Sequence, residues 1–159
     1  MELIDEIEEL IMMHQEGPYW DFKQEWYDDS KDGDLLIDII CMANNLVDRD
    51  AYIIIGVNEE CDYAIQDVSQ DANRRNTQML TDFIRGKKFA GDFRPVVTVE
   101  QVHLDGGLVD VIVVHNSINT PYYLKEKYKG RTNLKTHMKD LRMRLFLVRL
   151  LITEPHSKR

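Results

Sequence analysis

The sequence predicts a single α+β domain, for three reasons. A length of 159 residues suits one hydrophobic core. Apolar side chains recur at helical spacing in three segments, while residues 51–57 form a nearly all-apolar run rich in β-branched side chains. Asp105-Gly106-Gly107 separates two further apolar segments and is typical of a hairpin turn. Both helices and strands are therefore expected.

The first 46 residues predict two helices with a strand between them. Apolar residues at helical spacing place an amphipathic helix near residues 2–14, and Gly17-Pro18 ends it. The segment YWDFKQEW then alternates bulky and polar side chains, as a half-buried strand does, with Asp21 and Lys23 on one face. After N-cap candidates in DDSKDGD, a second apolar pattern predicts a helix that runs to about Leu46.

The rest of the chain predicts a central strand, a third helix and a hairpin. AYIIIGV at 51–57 reads as a buried strand that opens into an acidic turn with Glu59. A helical pattern at 79–84 is closed by Gly86. The hairpin strands are predicted at 96–104 and 108–115, followed by a short strand within 121–125. For the last thirty residues a strand, a basic helix and a poorly ordered tail all stay open.

Composition excludes several classes of protein. No run approaches the roughly 20 apolar residues of a membrane span, and the acidic start MELIDEIEEL lacks the features of a signal peptide. We therefore expect a cytoplasmic protein without membrane partners, in which Cys41 and Cys61 are reduced thiols. The absence of a G-x-x-x-x-G-K-S/T loop counts against an ATPase.

Charge is distributed unevenly along the chain. The net charge is −8, but residues 1–67 hold 19 acidic and 3 basic side chains, whereas residues 121–159 hold 3 acidic and 11 basic ones. An acidic site beside a basic, phosphate-binding tail would produce this pattern, and so would a solvated acidic helix followed by a basic tail. The charge alone leaves both interpretations open.

Three segments, taken together, resemble the Schlafen/Alba-like domain. They are EGPYWDFK (16–23), CMANNLVDRDAYIIIGVNEE (41–60) and VIVVHNSINTPYYLK (111–125). The resemblance implies a mixed sheet packed by helices over residues 1–130 and a nucleic-acid partner with RNA favoured over DNA. Members of the family are often dimeric or internally duplicated, so a homodimer is a further expectation. Residues 131–159 would then form a basic C-terminal segment. Two departures from the family pattern are Arg49-Asp50 in place of Gly-Gly and an unrecognisable strand beyond Lys129.

Some Schlafen/Alba-like proteins are metal-dependent endoribonucleases with three carboxylates, and the resemblance carries these onto Glu16, Asp21 and Glu59 as metal ligands, with Lys23 completing the catalytic set. Mg²⁺ or Mn²⁺ is the expected cofactor, since such ions take carboxylate and water oxygens and activate water for phosphodiester hydrolysis. Lys23 would steady the charge that develops on the phosphate. The alternative interpretation is that Asp21 and Lys23 are exposed strand residues and Glu59 belongs to a solvated turn.

Basic side chains offer candidate phosphate contacts in two places. The first group flanks the third helix and the second lies near the C-terminus; together they comprise Arg74, Arg75, Lys87, Lys88, Lys125, Lys127 and Lys129. Three functions thus compete: a divalent-metal nuclease, a non-catalytic DNA- or RNA-binding or dimerisation module of a regulator, and a protein-interaction domain whose acidic helix binds a basic partner. Whether the chain is an enzyme is open at this stage.

Overall fold

The computed structural model describes residues 1–125, which form three α-helices, a mixed four-stranded sheet and a small two-stranded sheet. The helices are α1 (Leu3–Met12), α2 (Asp32–Ala43) and α3 (Thr77–Arg85). The main sheet contains β1 (Trp20–Lys23), β2 (Ala51–Ile55), β5 (Val97–Leu104) and β6 (Gly107–Val114), and the small one contains β3 (Val57–Asn58) and β4 (Ala64–Ile65). The predicted α+β class is confirmed.

The main sheet has the strand order β1-β2-β6-β5. Strands β1 and β2 are parallel, with Lys23 opposite Ile55, and α2 provides the crossover between them. The other two pairings are antiparallel. Strand β1 lies at the edge of this sheet, and its C-terminal end continues into the segment before α2.

The core lies on both faces of this sheet. Alternate residues of β2 show the division: Ile53 and Ile55 pack with α2 and α3, whereas Ile54 packs with α1. All five residues of β2 are buried, as the apolar run predicted for a central strand. Within residues 1–125 no helix is long and apolar enough to cross a membrane.

Several predicted elements are shorter in the structure, each for a local reason. The strand predicted at 19–26 ends at Lys23, because Trp26 leaves the sheet and donates its backbone N–H to Asp71 and its indole N–H to Asp110. Helix α2 ends at Ala43 rather than near 46, since Asn44 exchanges two hydrogen bonds with the backbone of Tyr122.

Gly56 divides the apolar run 51–57 into β2 and β3. Its φ of +111° is a conformation that L side chains rarely adopt, and a Cβ there would lie 2.8 Å from the carbonyl oxygen of Gln66. The Gly56 N–H donates to the carbonyl of Lys23, and its own carbonyl accepts from Gln66. The kink therefore ties the end of β2 to the end of β1.

Candidate functional site

The candidate site begins at the C-terminal end of β1. Period-two alternation puts Trp20 and Phe22 on the α1 side of the sheet and Asp21 and Lys23 on the α2 side, as predicted. Asp21 is buried, and the Lys23 Nζ lies 3.1 Å from its Oδ2. The acid-x-lysine pair is thus a partly buried ion pair rather than two solvated side chains.

Asp38 of α2 completes this cluster, and the sequence analysis missed it. The Lys23 Nζ lies 3.3 Å from Asp38 Oδ2, and the Tyr27 hydroxyl donates to the same oxygen at 2.6 Å. One signal was available, because Asp38 interrupts the apolar run of α2 with Ile37 before it and Ile39 after it. A charged residue within such a run indicates a polar partner across the helix interface.

The pKa shifts follow from the arrangement of these charges. Burial alone would lower the pKa of Lys23, but the neighbouring charges of Asp38 and Asp21 outweigh it and raise that pKa. Burial raises the pKa of Asp38, and the charge of Asp21 adds to the effect, against the opposing influence of Lys23 and Tyr27. Burial followed by the Asp38 charge raises the pKa of Tyr27. Lys23 therefore carries a permanent charge that two carboxylates share.

Glu16 reaches the same place through the turn before β1. The Gly17 N–H donates to the carbonyl of Trp20, and the Trp20 indole donates to the carbonyl of Gln15 at 2.8 Å. Gly17 is required here because a Cβ would lie 2.1 Å from the Trp20 ring. This turn places Glu16 at the mouth of the pocket.

An open pocket of about 490 Å³ connects these side chains. It carries five carboxylates and two ammonium groups, a formal charge of −3. The residues that line it are Glu16, Asp21, Lys23, Gln24, Glu25, Trp26, Tyr27, Lys31, Asp34, Ile37 and Asp38. A cavity with this excess of negative charge attracts cations and repels a bare phosphate.

Glu59 follows β3, in the short 3-10 helix Glu59–Cys61, and is exposed. It does not line the pocket, but it lies close enough to Tyr63 to influence that side chain: burial raises the pKa of Tyr63, and the charges of Glu59, Glu16 and Asp62 raise it further. His14 stacks on the Tyr63 ring at 4.8 Å and pairs with Asp62 at 3.2 Å. The structure thus brings Glu16 and Asp21 to one pocket and leaves Glu59 outside its lining, near Tyr63.

The donor chemistry suits a hard divalent cation in part. Carboxylate oxygens are the ligands that Mg²⁺ and Mn²⁺ prefer, yet among residues 1–125 no three His, Cys, Asp or Glu side chains gather closely enough to hold a metal ion. Lys23 also neutralises Asp21 and Asp38. The pocket therefore fits an ion that takes one or two carboxylates and completes its shell with water and phosphate oxygens, as Mg²⁺ commonly does.

Arg74 and Arg75 are bound within the fold. Arg74 forms a bidentate pair with the buried Asp110, at 2.8 and 2.9 Å, and Arg75 Nη2 lies 2.6 Å from Asp32 Oδ1. These pairs tie the segment before α3 to β6 and to the start of α2. Arg74 supports the pocket wall, since Asp110 also accepts the indole N–H of Trp26, which lines the pocket. The predicted phosphate contacts of both arginines stay predictions.

Lys87, Lys88 and Lys125 come together beyond the end of α3. An antiparallel bridge joins Phe89 to Leu124, and the N–H of Lys125 donates to the carbonyl of Lys88 at 2.8 Å. The structure thus unites the two basic groups that the sequence left apart. Lys127, Lys129 and the predicted segment 131–159 lie outside the described residues.

Comparisons with known proteins bear on the family and on little else. A family model described as Schlafen, AlbA_2 matches residues 16–143. Among solved structures, the chain is similar to the DIP2311 protein from Corynebacterium diphtheriae, with 20% sequence identity and a TM-score of 0.46. That similarity covers 77% of this chain and 23% of the other. No curated protein matches the chain.

Proposed function

The chain belongs to the Schlafen, AlbA_2 family, as its three resembling segments indicated, and on this premise we propose that it binds nucleic acid and cleaves RNA with a divalent metal ion. The family itself suggests a nucleic-acid-related domain. Cleavage, the metal and the preference for RNA over DNA are the parts that we add.

The charge of the pocket carries the proposal. A phosphodiester that approaches a cavity of formal charge −3 is repelled, because the Lys23 ammonium group is already shared by Asp21 and Asp38 and five carboxylates outnumber the two ammonium groups. A divalent cation is attracted to the same cavity, lowers its formal charge from −3 to −1 and presents a positive centre to the phosphate. The pocket therefore favours metal-assisted over metal-free phosphate chemistry.

The residues divide the work as follows. Glu16 and Asp21 would hold Mg²⁺ or Mn²⁺, and Glu59, which lies outside the pocket lining, would act through a water bound to the ion. When bound, such an ion polarises the phosphate and supplies hydroxide. Lys23 offers a fixed positive charge to the phosphate oxygens as negative charge develops on them. Asp38 is a positioning residue that orients the ammonium group, and Tyr27 holds Asp38.

A cleavage assay tests the proposal. End-labelled single-stranded RNA and DNA of one sequence are incubated with the protein in Mn²⁺ or in EDTA. We expect cleavage of the RNA in Mn²⁺ alone, and a loss of about 100-fold or more in Asp21→Asn. Glu100→Gln, an exposed carboxylate on β5, is the matched control and should cleave at the wild-type rate. Cleavage that persists in EDTA, or that survives Asp21→Asn, would contradict the metal mechanism.

Metal binding itself supplies a second readout. Mn²⁺ at 100 times its dissociation constant should raise the free energy of unfolding by about 2.7 kcal/mol in the wild type. Glu16→Gln and Glu59→Gln should show a much smaller gain. An equal gain in all three proteins would place the ion elsewhere.

A second candidate is a non-catalytic nucleic-acid-binding module of a regulator. Within residues 1–125, no group of three acidic, His or Cys side chains is assembled for a metal ion, which favours this alternative. Binding of RNA without cleavage in Mn²⁺ would support it. The homodimer stays a prediction, and light scattering on the purified chain would test it by measuring the molar mass in solution.

A further inference from the structure

The segment between α3 and β5 folds back on itself. After the cap residue Gly86, the Lys87 N–H donates to the carbonyl of Ile84, and the Arg94 guanidinium donates to the carbonyl of Lys87 at 3.3 Å. The hydrogen bond closes the loop between residues 87 and 94. Arg94 and its neighbour Phe93 are therefore held beside Lys87.

Pairing with residues 123–125 adds Lys125 to this loop. In the bridge, Phe89 faces Leu124, so Lys88 and Lys125 are directly opposed on the two backbones. Phe89 is buried whereas Lys88 and Lys125 are exposed, which places both lysines on the outer face. Both ammonium groups therefore contribute positive charge to the same exposed surface.

Charge favours a polyanion as the ligand here. Residues 86–94 together with Lys125 contain four basic side chains and one acidic side chain, in a chain whose net charge is −8. The two charges just before this segment, Asp82 and Arg85, are paired with each other on the helix surface. The local excess of positive charge lies beyond α3, away from the acidic pocket.

Phe93 gives this basic loop an exposed aromatic ring. Its relative exposure is 56%, although Phe is among the residues most often buried. An exposed ring among lysine and arginine side chains is the arrangement that binds unpaired bases by stacking and their phosphates by charge. In a duplex the bases are already stacked on one another and paired, so they are not available to stack on such a ring.

We propose that Lys87, Lys88, Phe93, Arg94 and Lys125, the α3-loop surface, bind single-stranded nucleic acid, with Phe93 as the stacking platform. The inference rests on the nucleic-acid binding proposed above and identifies the surface and the strand form of the ligand. None of these five residues lines the acidic pocket, so the surface and the pocket are made of different side chains. Binding and cleavage can therefore be tested independently.

Fluorescence anisotropy with a labelled RNA of about 16 nucleotides measures this binding, in EDTA so that no cleavage occurs. The same RNA annealed to its complement is the second ligand. Phe93→Ala should weaken binding to the single strand by about fivefold or more and leave duplex binding within twofold, while Phe93→Trp restores single-strand affinity. Phe93 is more than half exposed, so the fold of these variants should be unchanged, which circular dichroism checks.

Salt dependence tests the lysines. Each phosphate contact contributes about −0.7 to the slope of log affinity against log salt for a single strand, so Lys88→Ala with Lys125→Ala should flatten the slope by about 1.4. Arg85→Ala, which removes an ion-paired charge from α3, is the matched control and should change affinity less than twofold. Wild-type affinity and slope in both surface variants would overturn this inference alone, whereas a wild type that binds no nucleic acid at low salt would overturn the proposed function as well.

Discussion

Replacement of Lys23 by methionine tests the central cluster most directly. The substitution keeps the unbranched shape of the side chain and removes the ammonium group that binds Asp21 and Asp38. Two carboxylates are then left facing each other, and Asp21 is buried. We expect the folded state to be destabilised at pH 7.

The magnitude follows from the distances. With an ammonium group 3.1 and 3.3 Å from the two carboxylates, each attraction is about 5 kcal/mol at an effective dielectric constant of about 20, before desolvation is subtracted. Removal of one partner from a buried ion pair costs about 3–5 kcal/mol. Lys23 is 32% exposed, so water screens part of this effect. We expect a loss of about 2–4 kcal/mol in the free energy of unfolding.

The loss should shrink at low pH. Without Lys23, the pKa of Asp38 in the folded state rises further above its unfolded value, because burial and the neighbouring charge of Asp21 both disfavour its charged form. Groups with a raised folded pKa take up protons first in the folded state, so acidification stabilises the variant relative to the wild type. The difference between the two proteins should be largest near pH 7 and smallest near pH 4.

Urea denaturation at several pH values measures both effects. Lys31→Met is the matched control, since Lys31 is an exposed lysine at the same pocket, and its change should stay within about 0.5 kcal/mol. Adding Asp38→Asn to Lys23→Met should recover about 1 kcal/mol or more, because it removes one of the two repelling charges. A Lys23→Met protein as stable as the wild type at pH 7, or a loss that is independent of pH, would refute the shared-ammonium cluster.

Three further predictions concern the frame of the site. Arg49→Met should lower the free energy of unfolding by about 1–2 kcal/mol in urea denaturation, because Arg49 pairs with Glu6 of α1 and its guanidinium lies 4.0 Å from the Tyr19 ring centroid. An unchanged denaturation midpoint would show that these contacts do not stabilise the fold. Burial and the bond to Glu6 raise the pKa of Tyr52 to about 12, so the unfolded chain loses this proton first and stability should fall between about pH 10 and pH 12. Tyr52→Phe should make that fall shallower in alkaline melts, and an identical slope would contradict the assignment. Gly56→Ala should lower the free energy of unfolding by about 2 kcal/mol or more, because its φ is +111° and the added Cβ would lie 2.8 Å from the carbonyl oxygen of Gln66. Gly91→Ala should cost less, because no atom lies within 4 Å of its added Cβ. Equal losses would mean that the close contact at Gly56 is unimportant.

The structure explains one departure from the family pattern, the pair Arg49-Asp50. This pair stands where the family pattern has Gly-Gly. In the structure the guanidinium joins α1 to the sheet through Glu6, while Asp50 accepts the backbone N–H of Asn116 at 2.7 Å. Both side chains hold the start of β2 in place. Their partners, Glu6 for Arg49 and Asn116 for Asp50, lie 43 and 66 positions away along the chain.

Local patterns were enough to predict the three helices, the strands of the main sheet and part of the site, but not the small sheet of β3 and β4. The type of each long element depends on side-chain periodicity within about ten residues, and the positions of Asp21 and Lys23 on one face follow from the alternation of a single strand. The ends of elements depended instead on distant partners. Trp26 leaves β1 because Asp71 and Asp110 bind it, and no pattern near residue 26 encodes those contacts.

The charge relationships at the site were decided by tertiary packing. Asp38 meets Lys23 only because α2 crosses from β1 to β2 over that face of the sheet, and Lys88 meets Lys125 only because residues 88–90 pair with 123–125. Arg74 and Arg75, which a charge count cannot distinguish from the lysines beyond α3, are instead bound by Asp110 and Asp32. The sequence gives the number and the order of the charged side chains. Which of them become partners depends on which segments fold against each other, and the packing of the whole core decides this.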